Sequence, residues 1–219
     1  MGRLGHVGSS IPLKRELFPT GFAGEVMQLM CETWNAFSLH QSIRFETRIT
    51  AVFREALINA YVAAGRNWFI TLEDPVIDST FGTEEGRNDL NIFPLQFPGQ
   101  KIFFTVECKR LRVKRKSGIA HLADEYVEQG MKRFVDGQYS KGLPCGGMIG
   151  YVMDNRVAEA FKKVRAEIAL RTKKLKMVRK RPIRQPSIAV PKHIHSADTF
   201  HARSDGQFTI YHAFFGVRR

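Results

Sequence analysis

Residues 87–112 read RNDLNIFPLQFPGQKIFFTVECKRLR, and the rest of the chain is placed around this stretch. Ile102, Phe104, Val106 and Cys108 alternate with Phe103, Thr105, Glu107 and Lys109. Side chains of a strand point to opposite faces with period two, so the alternation predicts a β-strand. Glu107 and Lys109 then share one face, and Val106 and Cys108 take the other. The segment before it alternates too, with Asp89, Asn91 and Phe93 on one face and Leu90 and Ile92 on the other. Pro94, Pro98 and Gly99 supply a loop that returns the second strand beside the first. Coinciding polar faces would bring Asp89, Glu107 and Lys109 together. Two converging carboxylates repel unless a divalent cation lies between them. A hard cation held by one or two carboxylates and by substrate phosphate is the usual magnesium arrangement.

Upstream, the spacing predicts two helices. From Gly21, Met27, Met30, Cys31, Trp34 and Phe37 recur at three- and four-residue steps, which reads as core packing. The second helix spans about 42–64, with Ile49, Phe53, Ala56, Leu57, Ala60 and Ala64 on one face. Glu46 falls on that apolar face and Glu55 on the opposite one. Glu46 either complements the positive helix end, worth a few tenths to about 1 kcal/mol, or is aimed at the site. Residues 68–72 predict a first strand, ended by Glu73-Asp74-Pro75, and 80–86 a polar turn with Glu84 and Glu85. Residues 1–20, rich in Gly, Ser and Pro, read as an arm with little regular structure.

Downstream, residues 110–118 (RLRVKRKSG) form a basic loop next to the proposed site. A helix over about 120–139 carries Ala123, Val127, Met131 and Phe134 on its apolar side and Tyr126, Gln129 and Arg133 on the other. The run 145–153 (CGGMIGYVM) reads as a central strand covered on both faces. Helical spacing resumes over about 156–177 within a strongly basic run, stopped by Pro182 and Pro186. Two alternating segments around Ser204-Asp205-Gly206 predict a closing hairpin.

Composition bounds the partners. The chain of 219 residues is 43% hydrophobic, enough for one compact domain with a real core. Its 34 Lys and Arg against 21 Asp and Glu give a formal charge of +13 and a pI near 10.0. A polyanion is the natural partner, and nucleic acid is preferred over a membrane surface. No apolar run is long enough to span a membrane, and the start lacks a secretory pattern. Cys31, Cys108 and Cys145 read as buried free thiols in a reducing cytoplasm. His193, His195 and His201 offer a zinc alternative, without the accompanying motifs of known zinc sites. No serine-hydrolase elbow and no phosphate-binding Gly-rich loop with Lys appears.

Asp89 followed by Glu107-Cys108-Lys109 on neighbouring strands, after a helix carrying its own acid, resembles the PD-(D/E)xK nuclease superfamily. Asn88 stands where the motif has Pro. The resemblance covers about 42–154 and implies an α/β restriction-endonuclease-like core, a mixed sheet flanked by helices. On that reading 1–41 is an arm and helix, and 155–219 a basic helix and hairpin appended to one domain. The resemblance implies metal-dependent hydrolysis of DNA phosphodiesters, with restriction or phage defence as a common role of bacterial relatives. Asp89 and Glu107 would hold Mg²⁺, or Mn²⁺ in its place, with Glu46 completing the shell directly or through water. Lys109 would orient or deprotonate the water, or stabilise the developing anion. Gln129 would lie beside Lys109, or simply face solvent. Arg110, Arg112, Lys114, Arg115, Lys116, Arg133, Lys173, Lys174, Lys176, Arg179 and Lys180 would contact double-stranded DNA. Cutting both strands would call for a homodimer or a partner protein. The alternative is a nucleic-acid-binding subunit that has the fold and does not cut.

Overall fold

The computed structural model describes residues 11–40, 42–77, 84–96, 101–178 and 183–218. A mixed sheet of six strands organises them, in the order β1-β2-β3-β6-β8-β7. The strands are β1 (Trp68–Ile77), β2 (Glu84–Pro94), β3 (Phe104–Leu111), β6 (Cys145–Val152), β7 (Ser196–Arg203) and β8 (Gly206–Gly216). β3, β6 and β8 run parallel to one another, and the remaining neighbours are antiparallel. Two short strands, β4 (Val113–Arg115) and β5 (Gly118–Ala120), make a separate hairpin.

β6 is buried at every position, as its unbroken apolar sequence requires for a strand covered on both faces. On one face pack α2 (Phe22–Ala36) and α3 (Glu46–Ala63). Their apolar stripes converge on Trp34, whose ring stacks on Phe215 at 5.0 Å and on Tyr151 at 5.2 Å and meets Phe53 edge-on at 5.2 Å. On the other face pack α6 (Val157–Leu170), through Ala160, Phe161, Val164 and Ile168, and a composite helix. That helix runs from α4 (Ala123–Glu125) through a π-helical segment (Tyr126–Met131) into α5 (Lys132–Val135). Gly146 of β6 lets it approach: a Cβ there would lie 2.5 Å from the ring of Phe134.

Several expectations change. α1 (Ile11–Glu16) is helical, inside the segment expected to be irregular. α3 starts at Glu46 rather than near residue 42, because His40 and Ser42 close a turn first, with His40 Nδ1 and Ser42 Oγ 2.8 Å apart. β1 continues through Glu73-Asp74-Pro75 to Ile77, with Glu73 at φ 52, and β2 already begins at Glu84. The loop after β3 is the hairpin β4–β5, which the chain enters through Arg112 at φ 55. Tyr126, expected on the polar side, lies on the buried stripe with Ala123, Val127 and Met131, and shares a hydrogen bond of 2.9 Å with His212 Nδ1. Gly137 at φ 79 follows the helix end, earlier than expected. α6 stops at Leu170 instead of near Met177, because Leu175 turns into the core and the chain then pairs with β7 through Met177. The closing hairpin is no appendage: β8 inserts between β6 and β7 and belongs to the central sheet.

No helix among the described residues is long and apolar enough to cross a membrane. Cys31, Cys108 and Cys145 are free and buried, as their apolar contexts predict.

Candidate active site

β2 and β3 pair only from Leu90 to Ile92 against Phe104 to Val106. Beyond Leu90 the two strands part, and Asp89 sits at the mouth of the notch. Its Oδ2 accepts the Cys108 backbone N–H at 2.6 Å. Glu107 and Lys109 lie on one face of β3, as their spacing predicts, and Lys109 Nζ is 2.8 Å from Glu107 Oε1. Glu46, in the first turn of α3, joins them: its Oε1 lies 3.2 Å from Lys109 Nζ, and its Oε2 accepts the Arg110 backbone N–H at 2.6 Å. One carboxylate thus holds two successive residues of β3, and both of its oxygens are engaged by the protein. In this geometry Glu46 holds Lys109 and the Arg110 backbone in place.

Arg133 of α5 completes the group. Its Nη1 is 3.4 Å from Glu107 Oε1 and donates to the Tyr139 hydroxyl, which donates to the Arg87 carbonyl at 2.5 Å. Sequence placed Arg133 among the phosphate contacts, and its salt bridge to Glu107 puts it in the site itself. Tyr139 was not singled out, since nothing in its spacing from Arg133 marks a partnership built across a helix end. Also unanticipated is a polar ladder across the sheet. Thr105 Oγ1 donates to Asn91 Oδ1 at 2.8 Å, and Asn91 Nδ2 donates to Asp74 Oδ2 at 2.9 Å. Asn91 and Thr105 had been placed on the faces of Asp89 and Glu107, which was the available signal. Gln129 is exposed, and the helix position over Lys109 is Gly130, where a Cβ would lie 3.7 Å from Lys109 Cγ.

The electrostatics are unbalanced. Glu107 is 1% exposed, and burial followed by the neighbouring charge of Asp89 pushes its carboxyl up to about 8. Burial raises Asp89 to about 6, with Glu46 adding to the rise and Lys109 and the Cys108 N–H opposing it. Burial alone would lower Lys109, but Glu107, Glu46 and Asp89 outweigh it and hold the ammonium protonated. Glu107 Oε2 is buried with no hydrogen-bond partner. An oxygen of this kind costs free energy until a proton or a cation meets it. Two carboxylates, one with a free oxygen, suit a hard cation that takes its other ligands from phosphate and water. Yet among the described residues no group of three or more His, Cys, Asp or Glu side chains is placed to hold a metal ion. Lys109 stands between Glu46 and Glu107, and the histidines are used elsewhere. His193 pairs with the Phe214 carbonyl at 3.1 Å, and His201 joins Leu175 and Thr199, which removes the zinc alternative.

The expected phosphate-contacting residues divide. Lys114, Arg115 and Lys116 are exposed on the β4–β5 hairpin. Arg112 is 4% exposed and spent on Asp154 and Glu159, at 2.9 and 2.8 Å, so it braces the fold instead. Lys173, Lys174 and Lys176 sit in turns after α6, and Lys174 pairs with Glu128 at 2.5 Å. Arg179 and Lys180 lie outside the described residues. Comparison of the chain with protein-family models, with curated proteins and with solved structures finds no match.

Proposed function

We propose that this chain hydrolyses phosphodiester bonds in nucleic acid, with double-stranded DNA as the expected substrate, using Mg²⁺ or Mn²⁺ held by Asp89 and Glu107. The observation that carries the reading is the unpartnered, buried Oε2 of Glu107 beside Asp89. When bound, the cation supplies an activated water and neutralises phosphate charge. The protein's own residues do the rest. Lys109, protonated and pinned between Glu107 and Glu46, presents a fixed positive charge to the developing oxyanion. Its protonation suits charge stabilisation and water orientation better than base catalysis. Arg133, held by Tyr139, offers a second cation to the phosphate. Glu46 keeps Lys109 and the Arg110 backbone in place.

Asp89→Ala and Lys109→Ala are expected to lower cleavage of a labelled plasmid in magnesium or manganese by roughly a hundredfold or more, while binding persists. Wild-type rates in either variant overturn the assignment. A second reading, a subunit that binds nucleic acid without cutting, is favoured by one observation. Lys109 already pairs with two of the three carboxylates, and no three-residue metal group forms among the described residues. Binding with no cleavage in either metal, from the wild type, would establish it.

A further inference from the structure

Beyond Lys109 the sheet ends in a second concavity. A cavity of about 690 Å³ opens at the carboxyl ends of the parallel strands β3, β6 and β8. Its walls are Arg110 near the end of β3, the segments that follow the three strands, and Arg44 just before α3. Crevices outside the carboxyl ends of parallel strands are where open α/β sheets take ligands. Five basic side chains line this one: Arg44, Arg110, Arg112, Lys114 and Arg218, against the single acid Asp154. Asp154 is spent on Arg112, at 3.0 Å from Nε and 2.9 Å from Nη2. Arg112 also holds Glu159, so that guanidinium is neutralised within the fold. Among the described residues no salt bridge engages Arg44, Arg110, Lys114 or Arg218, which leaves four cations around one cavity.

Arg110 is the best fixed of the four. Its backbone N–H is held by Glu46, its Nη1 donates to the Arg44 carbonyl at 2.8 Å, and its guanidinium lies 6.0 Å from the Phe45 ring centroid. Its Nε is buried and finds no acceptor in the protein. Arg110 also follows Lys109 in β3, and Glu46 ties the two together, through Lys109 Nζ and the Arg110 backbone N–H. A guanidinium set in advance costs little ordering when an oxyanion arrives.

We propose that this cavity is a phosphomonoester subsite that receives the phosphorylated end of a nucleic-acid strand. The choice of an end over an internal phosphate follows from charge. A terminal phosphate carries about −1.5 to −2 near neutral pH, against one charge for an internal diester, and four uncompensated cations match the denser anion. The proposal rests on the phosphodiester reading for the strand, and on the cavity alone for the phosphate.

The experiment measures equilibrium binding with metal chelated, so that no turnover is needed. Three fluorescent single strands of one sequence are compared: 5′-phosphorylated, 3′-phosphorylated and hydroxyl at both ends. One phosphorylated end is expected to bind roughly tenfold tighter than the hydroxyl-ended strand, a single charge-assisted hydrogen bond being enough for this. A nucleoside monophosphate should compete away that increment. Arg44→Ala combined with Arg218→Ala, both exposed positions, should lose the increment and keep the wild-type affinity for the hydroxyl-ended strand. A thermal melt of the variant confirms that it folds. Equal binding of all three strands, or an increment that survives in a folded variant, overturns the proposal. So does a nucleoside monophosphate that binds in the cavity while strand ends make no difference. Failure of Asp89→Ala to reduce cleavage would remove the hydrolytic reading and leave the end preference standing, so the two ideas fail separately.

Discussion

At the scale of single residues, the candidate site is set by the face that Glu107 and Lys109 share on β3 and by the two contacts Glu46 makes to that strand. Asp89, Glu107 and Lys109 could be put together because strand alternation fixes which side chains share a face. Glu46 could be suspected because an acid on an apolar helical face asks for a partner. What period cannot supply is the exact partner, and Glu46 meets a lysine and a backbone amide. Glu46→Gln is therefore expected to slow cleavage by roughly ten- to a hundredfold, whereas Glu55→Gln, exposed and paired with Arg54, should leave it unchanged; equal effects in a rate assay would return Glu46 to a purely structural role. Glu107 offers a test without turnover. Its folded carboxyl binds its proton up to about pH 8, well above its ordinary value near 4.5. The folded state then holds more protons than the unfolded one, so metal-free stability falls as pH rises from about 4.5 to about 8. Magnesium must displace that proton, so its thermal stabilisation should grow over the same window. Glu107→Gln should flatten the metal-free slope and abolish the magnesium shift in a melting series from pH 5 to 8.

At the scale of elements, strands were easier to read than the helix over them. Periods of two and 3.6 separate strand from helix, but neither registers a π-helical insertion, which adds a residue without changing composition. Tyr126, three residues after Ala123 and one before Val127, belongs to the wide apolar stripe of that helix and lies inside, and Arg133, placed among the phosphate contacts, meets Glu107. The packing of that helix rests on Gly146, where an alanine Cβ would sit 2.5 Å from the rigid ring of Phe134. Gly146→Ala is expected to destabilise the fold by about 1–3 kcal/mol, read from urea unfolding, and to slow cleavage by displacing Arg133. The basic segments also separate at this scale. Lys114, Arg115 and Lys116 stand exposed on a hairpin, whereas Lys174 already holds Glu128. Each phosphate contact contributes a slope of about −0.9 in log affinity against log salt on duplex DNA. Neutralising the hairpin trio should flatten that slope more than neutralising Lys173, Lys174 and Lys176, in salt titrations on two unrelated duplexes. The reverse order would make the turns after α6 the main track for the backbone.

At the scale of the whole molecule, the mixed sheet was legible from the order of helices and strands, but the place of its last hairpin was not. Alternation shows that β7 and β8 pair with each other; it does not say that β8 will slide beside β6. A buried polar chain ties that arrangement to the helical layer. Tyr126 meets His212, Thr199 bridges His212 and His201 at 2.9 and 2.8 Å, and His201 meets the Leu175 carbonyl at 2.7 Å. Burial lowers His201 to about 4 and His212 to about 3, with Arg203 adding to the first and His201 to the second. The unfolded chain takes both protons near pH 6.5. It then binds more protons than the folded chain below that value, and stability from this pair falls as pH drops from about 6.5 toward about 4. In the Glu107→Gln background, where the larger opposing carboxyl slope is gone, the urea midpoint should decline over that window. A midpoint that rises on acidification would show that the pair does not govern it.

The insertion of β8 has a consequence for synthesis. β6 leaves the ribosome with its far edge unpaired, and its neighbour on that side is the last strand of the sheet to be translated. Until residue 216 has emerged, an apolar ribbon of eight residues, Cys145–Val152, stays open to any passing strand. At roughly 5–20 residues per second, the 64 positions from 153 to 216 keep that edge bare for about 3–13 seconds. A chain stopped after Arg203 is therefore expected to collect in the insoluble fraction, and to be rescued by co-expressing a separate peptide that carries Gly206–Gly216.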